Sequence, residues 1–414
     1  MDLIGIRCKA FAIPVSSFWK DSRGGVAPLL AIAAIPLFGA VGVSVDYSNA
    51  SRLRTAMQAS LDSTALRLVS DVQSVDQAQP LFNAVFEHPE VQNLSVTGGA
   101  NQSSGTTSVN LTASGSMNTT FMSVIGFSTL TLAVQSSAVK TSDTSACVLA
   151  LDPTASGAVS AGGSTNVALN NCSVFSDSND AAAVSVGGSA KLSALSINAV
   201  GNVSLGGSVT TSQGVSTGLP PIADPYADVA FPLFSGCDQT NYSVKTIATI
   251  DPGVYCKGLT VNAGATLTLN PGIYYIDQGT LSVNGGATIT GKGVTLVFTS
   301  STGKNWATAT INGNATINLT APNAGSTAGI VIFGDRQIPT ATTFKFNGSS
   351  TQYFGGAIYV PTGAIDYSGG TGASSSCTQI IGDTVNFTGN SNVAINCSNY
   401  QTRPFGPTAV KLAY

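Results

Sequence analysis

The sequence predicts a mainly β chain in which one N-terminal transmembrane helix leads to a large right-handed parallel β-helix. Three observations point there. Only 9% of the 414 residues are charged and Gly numbers 45, where globular chains average about 25% charged residues, so the chain is polar without being highly charged. A single run near the N-terminus is apolar and free of charge. Beyond Cys147 a short unit of Gly turn followed by alternating apolar and polar residues recurs.

The apolar run covers residues 24–45, GGVAPLLAIAAIPLFGAVGVSV, close to the ~20 residues that cross a bilayer as a helix. Arg7, Lys9, Lys20 and Arg23 precede it, while Asp46 opens the far side and Arg52 and Arg54 mix there with Asp62. The positive-inside bias then makes residues 1–23 a cytoplasmic basic segment and puts the rest outside. Pro28 and Pro36 would kink the helix, which membrane spans tolerate. A cleaved signal peptide is the competing reading, with Lys20 and Arg23 as its basic region and Ala40-Val41-Gly42 as its cut. The run is long for a signal core, and no polar stretch separates it from that cut.

After Val45, helical spacing continues through Ala50, Leu53, Met57, Leu61, Thr64 and Leu68. Such a stripe packs on its own domain or forms a seam for partner helices.

The run from Arg23 to Asp71 resembles the N-terminal region of TadE/TadG-like (Tad/Flp) pilus-assembly proteins. Val45-Asp46-Tyr47 matches the family's exit from the membrane, and Met57-Gln58-Ala59-Ser60-Leu61-Asp62 matches its Leu-Gln-x-Ala-x-Asp-like core. Ser108 to Val139 is similar to the family's next unit, a strand, a short amphipathic helix around Phe121 to Gly126, and a second strand. The resemblance implies a helix with a small α+β stalk over residues 46–145. It also implies other pilus-assembly or pilin-like proteins as partners through the N-terminal helix, and the bacterial inner membrane as location, with the large domain periplasmic or extracellular. Pilins cut by a prepilin peptidase carry Glu five positions after the cleavage Gly. Here Leu30 follows Gly25 at that distance, so the anchor is expected to stay uncleaved.

The β-helix is expected over residues 146–406, with residues 407–414 as a tail. Its units are GGSTNVAL from Gly162, GGSAKLSAL from Gly187, GGSVTTS from Gly206, AGATLTL from Ala263, GGATIT from Gly285 and NATINL from Asn314. Spacings near 20 residues with strand-like units indicate coils that bury their inner faces by stacking. Leu267, Leu269, Ile289, Ile317 and Leu319 should point inward, while Thr266, Thr268, Thr288 and Thr290 face solvent. Asn262, Asn284 and Asn312 precede successive turns, where they form a ladder or serve simply as turn residues. PGIYYIDQGTLSVNGGATITGKGVTLVFT and APNAGSTAGIVIFGDR are similar to β-helical portions attached to some TadE/TadG-like proteins.

Of seven cysteines, Cys8 precedes the apolar run and Cys147, Cys172, Cys237, Cys256, Cys377 and Cys397 follow it. An even set on one side suits an oxidising exterior. Six cysteines allow 15 connectivities; pairing neighbours, Cys147 with Cys172, Cys237 with Cys256 and Cys377 with Cys397, closes the shortest loops, and buried free thiols are the alternative. No Cys-x-x-Cys occurs and the one histidine, His88, is remote, so neither metal nor cofactor is expected. A net charge of −3 without a Lys/Arg cluster excludes nucleic acid.

Polysaccharide-cleaving β-helices need clustered carboxylates. Asp251, Asp277, Asp335, Asp366 and Asp383 occur singly, and Arg336 and Arg403 are the only arginines of this region. Asp335-Arg336 is the best local candidate, with a turn salt bridge or cap the preferred reading. Asp152-Pro153-Thr154-Ala155-Ser156 loosely fits the metal motif of von Willebrand A domains, but strands follow it instead of alternating helices. No catalytic residue is therefore assigned. The expected function is structural, in pilus assembly or attachment, and an anchored β-helix that binds or degrades polysaccharide, such as a surface glycan, is the alternative.

Overall fold

The computed structural model describes residues 26–71, 74–103, 106–142, 146–340, 342–348, 351–370, 377–397 and 400–413. The basic segment expected at residues 1–23, with Cys8, lies outside them. The chain forms two units, Met1–Lys140 with Val410–Tyr414, and Thr141–Ala409.

In the first unit, helix α1 runs from Val26 to Asp71 with Pro36 inside it. Its C-terminal half buries Ala50, Leu53, Met57, Leu61, Ala65, Leu68 and Val69, a stripe at the three- and four-residue spacing of one helix face. The stripe packs against Phe82 of helix α2 (Ala78–Val85), Phe86, and the inner face of a sheet. Strands β1 (Val91–Ser103) and β2 (Thr106–Asn118) pair antiparallel, with Ala100 opposite Val109, and β3 (Thr129–Ser142) lies beside β2. Val109, Leu111 and Ala113 alternate into the core, as a half-covered antiparallel sheet requires. Burying a side chain the size of Val109 or Leu111 contributes about 1.5–3 kcal/mol. Residues 407–414 are more than a tail: Thr408–Leu412 is the fourth strand, beside β3, and Leu412 packs on the same core. The expected short helix near Phe121 is a 3-10 turn, Met122–Ile125, closed by Gly126 in the left-handed region at φ 95°.

Among the described residues the second unit is a 24-stranded sheet closed around one long core. Its strands stack in parallel on three faces, and Gly272 pairs with Val294 one coil further on. Leu267 stacks on Ile289 and Ile289 on Ile317, all three buried, while the flanking threonines Thr266, Thr268, Thr288 and Thr290 are only half-buried. Between two faces the chain turns through a residue at positive φ, Gly264 at 74° and Gly286 at 77°. Asn314 takes that place in the looser copy at φ 65°, as asparagine tolerates this conformation best among side chains with a Cβ. Of the three turn asparagines, Asn312 donates to Asn284 at 3.4 Å, while Asn262 donates to Ser243, so the ladder has two rungs.

The coils do not follow chain order. Residues 146–216 coil away from the strand Thr378–Ala394, whose three parts pair in parallel with Ala146–Ala150, Val159–Ala161 and Asn166–Asn170. Residues 239–394 start at the opposite end and coil toward that same strand. The chain thus enters its solenoid in the middle, and residues 217–238 return along its outside as a strap. Periodicity marks each coil in the sequence, but a coil needs only some parallel neighbour to bury its inner face, so periodicity does not reveal the order.

Candidate functional site

The features that distinguish the first unit lie where α1 leaves its uncharged stretch. Leu30, Ile32, Leu37, Phe38, Val41 and Val45 are exposed on the helix, Phe38 at 77%. Contiguous apolar surface of this kind marks a contact with a partner or membrane. Among the described residues no helix is long and apolar enough to cross a membrane; the uncharged run of the sequence extends N-terminal to them.

Asp46 follows that run and is buried. Its carboxylate accepts the N–H groups of Thr120, Phe121 and Met122 at 3.1, 2.8 and 2.7 Å. These bonds, the one from Met122 foremost, hold its pKa below the usual carboxylate value. Gly42, one helical turn earlier, lets the turn approach, since a Cβ there would lie 2.6 Å from Cβ of Phe121. The Gln58 amide donates to Asp62 and to the carbonyl of Gln135 in β3, both at 2.8 Å, so this motif pins helix to sheet. Because the stripe from Ala50 to Val69 is buried in its own unit, no partner seam is available there. The exposed apolar surface of α1 lies instead N-terminal to Asp46.

Residues 24–67 match the family model for Flp pilus-assembly TadE/G-like proteins. The N-terminal segment is TadE/G-like. No curated protein and no solved structure matches the chain. Both motifs on which the TadE/G likeness rests, around Asp46 and Gln58, hydrogen-bond α1 to its unit, and Lys140 of β3 adds a further tie to the carbonyl of Ser70 at 2.9 Å.

In the second unit, polar and aromatic residues of the solenoid hold the strap. Leu219, Ile222, Tyr226, Val229 and Phe231 lie against the outside of successive coils. Arg336 donates to the carbonyls of Tyr226 and Val229 at 2.6 and 2.9 Å and to the hydroxyl of Tyr359 at 3.1 Å. Its guanidinium lies over the rings of Phe333 and Tyr359. Arg403 donates to the carbonyl of Pro225 at 2.9 Å and to Asp228, and lies over the ring of Tyr226. Both arginines beyond Arg67 thus hold the strap, a role that sequence reading missed. The signal was the Pro- and aromatic-rich LPPIADPYADVAFPLF, which interrupts the repeats.

Asp335 accepts the Thr299 hydroxyl and the Gln337 N–H, the geometry of a cap. Asp152 accepts the N–H groups of Thr154 and Ala155, an Asx turn. Among the described residues no group of three or more His, Cys, Asp or Glu is placed to hold a metal ion, and His88 lies beside Glu90 in the other unit. Stacking does bring Asp383 near Asp152, distant in sequence; burial, then the Asp152 charge, raises Asp383 to about 6. Burial likewise raises Asp177 to about 6, against the Ile222 N–H that it accepts.

The six cysteines from Cys147 to Cys397 are paired. Cys147–Cys172 links adjacent coils with Cα atoms 5.6 Å apart, Cys237–Cys256 ties the end of the strap to the coils at 5.9 Å, and Cys377–Cys397 closes one coil at 4.8 Å.

Proposed function

We propose that this chain is a membrane-anchored structural component of Tad pilus assembly or surface attachment, without catalytic activity. The observation that carries the reading is the coincidence of the TadE/G-like match with an exposed apolar helix. The match at residues 24–67 begins with the uncharged run and ends in the stripe that docks α1 on its unit. About 20 helical residues at 1.5 Å each span the ~30 Å hydrocarbon core, so residues 24–45 cross the inner membrane once. Arg7, Lys9, Lys20 and Arg23 keep the N-terminus cytoplasmic. Three disulfides suit a periplasmic or extracellular solenoid.

The non-enzymatic reading is supported by how the polar groups are used. Arg336, Arg403, Asp335 and Asp152 are engaged in clamps, caps and turns of the solenoid itself. A weakly charged solenoid carried in the same chain as a membrane helix suits presenting a surface or supporting pilin-like proteins.

Fractionation of piliated cells tests the proposal. The protein should stay with inner membranes after alkaline extraction, and its loss should abolish assembled pili or attachment. Recovery as a freely soluble protein would refute the anchor. Unchanged piliation and attachment in the deletion strain would refute the role, and a polysaccharide-cleaving activity lost in Asp335→Asn would replace it.

A further inference from the structure

We propose that the uncharged turn Phe121–Phe127 enters the headgroup region of the bilayer that α1 spans, giving the anchor a second point of contact. The inference rests on the anchor reading above and adds to it a second membrane-inserted element.

Position along the helix carries the argument. Asp46, the first charged residue after the uncharged run, binds the backbone of Thr120, Phe121 and Met122. Gly42, inside the run, meets Phe121. The turn is therefore fixed beside α1 at the level where the uncharged stretch ends, which for a spanning helix is the membrane surface. Val124, Ile125, Phe127 and Phe121 are exposed there, Val124 at 85%, and none belongs to the core of the unit. Tyr47 is exposed on the neighbouring helix position, and tyrosine is enriched at membrane interfaces.

The backbone of the turn is prepared for a medium poor in water. Asp46 takes three N–H groups, and the N–H groups of Val124, Gly126 and Phe127 are bonded to the carbonyls of Phe121, Ser123 and Met122. Unsatisfied backbone groups are what bars most loops from lipid. No charge occurs from Thr119 to Thr129, so insertion strands no ion. The bilayer is chosen as occupant because the patch continues the exposed apolar face of α1, from Leu30 to Val45, at its membrane-exit end.

The test places one tryptophan at a time in the full chain, in a Trp19→Phe, Trp306→Phe background, reconstituted in phosphatidylcholine vesicles with or without brominated acyl chains. Val124→Trp reports the turn, Phe38→Trp the anchor and Leu233→Trp an aqueous position. All three side chains are exposed, so the substitutions spare the core. Interfacial elements sit roughly 5–10 Å into the boundary. Val124→Trp should therefore emit blue-shifted and lose intensity most with bromine near the headgroup end of the chain, whereas Phe38→Trp should lose most with bromine placed deep. Emission of Val124→Trp unquenched like that of Leu233→Trp, beside a quenched Phe38→Trp, overturns the inference and leaves the anchor standing. A blue-shifted but unquenched Val124→Trp means that protein, such as a second copy, covers the turn, which also overturns it. Quenching of Val124→Trp without quenching of Phe38→Trp upholds the turn and refutes the spanning helix. Failure of both refutes both.

Discussion

Ile380 lies opposite Val148 in a parallel strand pair, both fully buried, although 232 positions separate them in sequence. Through this contact the run that coils from residue 239 and the run that coils from residue 146 share one core. Ile380→Ala removes buried volume at the junction and should cost about 2–5 kcal/mol, as large-to-small core changes do. Urea unfolding followed by tryptophan-independent circular dichroism should give one transition of the solenoid at a lower midpoint. A midpoint equal to that of wild type would show that the two runs do not depend on the junction.

Arg336 holds two carbonyls of the strap, those of Tyr226 and Val229, and is itself braced on the Tyr359 hydroxyl. Hydrogen bonds to a charged group contribute roughly 1.5–3 kcal/mol each, and lysine cannot reproduce the fork. Arg336→Lys should therefore leave the coils folded but free residues 219–231, detected as faster protease cleavage within the strap. Cleavage at the wild-type rate would remove Arg336 from this role.

How far the sequence could be read depended on whether a feature was local. The inward side chains Leu267, Leu269, Ile289, Ile317 and Leu319 were legible because alternation in a strand fixes which side chains share a face, and all five are buried. The helix stripe from Ala50 to Leu68 was legible for the same reason with a period of 3.6. Nothing local, however, specifies that Ile380 meets Val148, since any coil offers similar parallel edges. The clamp by Arg336 and Arg403 was hidden for a related reason: a strap without periodicity gives no register from which its partners could be counted. The Asp46 motif was recognised from family resemblance, whereas its use, as acceptor for a turn 74 to 76 residues away, needed the fold.

Disulfides should reinforce the coil stack. Closing the loop between Cys147 and Cys172, 25 residues apart, stabilises by about 3 kcal/mol on the chain-entropy account. A Cys147→Ala, Cys172→Ala double variant should unfold at a correspondingly lower denaturant concentration, while non-reducing peptide mapping of wild type should recover all three pairs. Long-range cross-links or free thiols among the six would contradict the arrangement.

Asp177 and Asp383 give the solenoid a pH dependence of defined sign. Both are raised from 3.8 to about 6, chiefly by burial, so the folded state binds protons more tightly than the unfolded one. Their contribution is fully present below pH 4 and is lost as pH rises through about 6. Replacing both with Asn retains an acceptor for the Ile222 N–H and removes the titration. The stability difference between double variant and wild type should therefore grow in favour of the variant from pH 4 to pH 7. A difference that stays flat over this range would show that neither carboxyl is shifted.

Asp46 titrates in the opposite direction. Its pKa is held below the ordinary carboxylate value of 3.8, first by the Met122 N–H and then by those of Thr120 and Phe121, so the carboxylate form is the one that holds the turn. That contribution is present above the unfolded pKa and is lost as pH falls through the lower, folded value. Asp46→Ala leaves three N–H groups without their acceptor, while Asp46→Asn keeps one oxygen and loses the charge, so the Asn variant should be intermediate. Hydrogen exchange at Thr120, Phe121 and Met122 in the reconstituted full chain reads this directly. Exchange should quicken most in Asp46→Ala, less in Asp46→Asn, and not at all at Val109 or Leu111 in the core of the same sheet. If exchange at the three amides is unchanged in Asp46→Ala, the tie between helix exit and turn is absent, and the level assigned to the turn beside α1 goes with it.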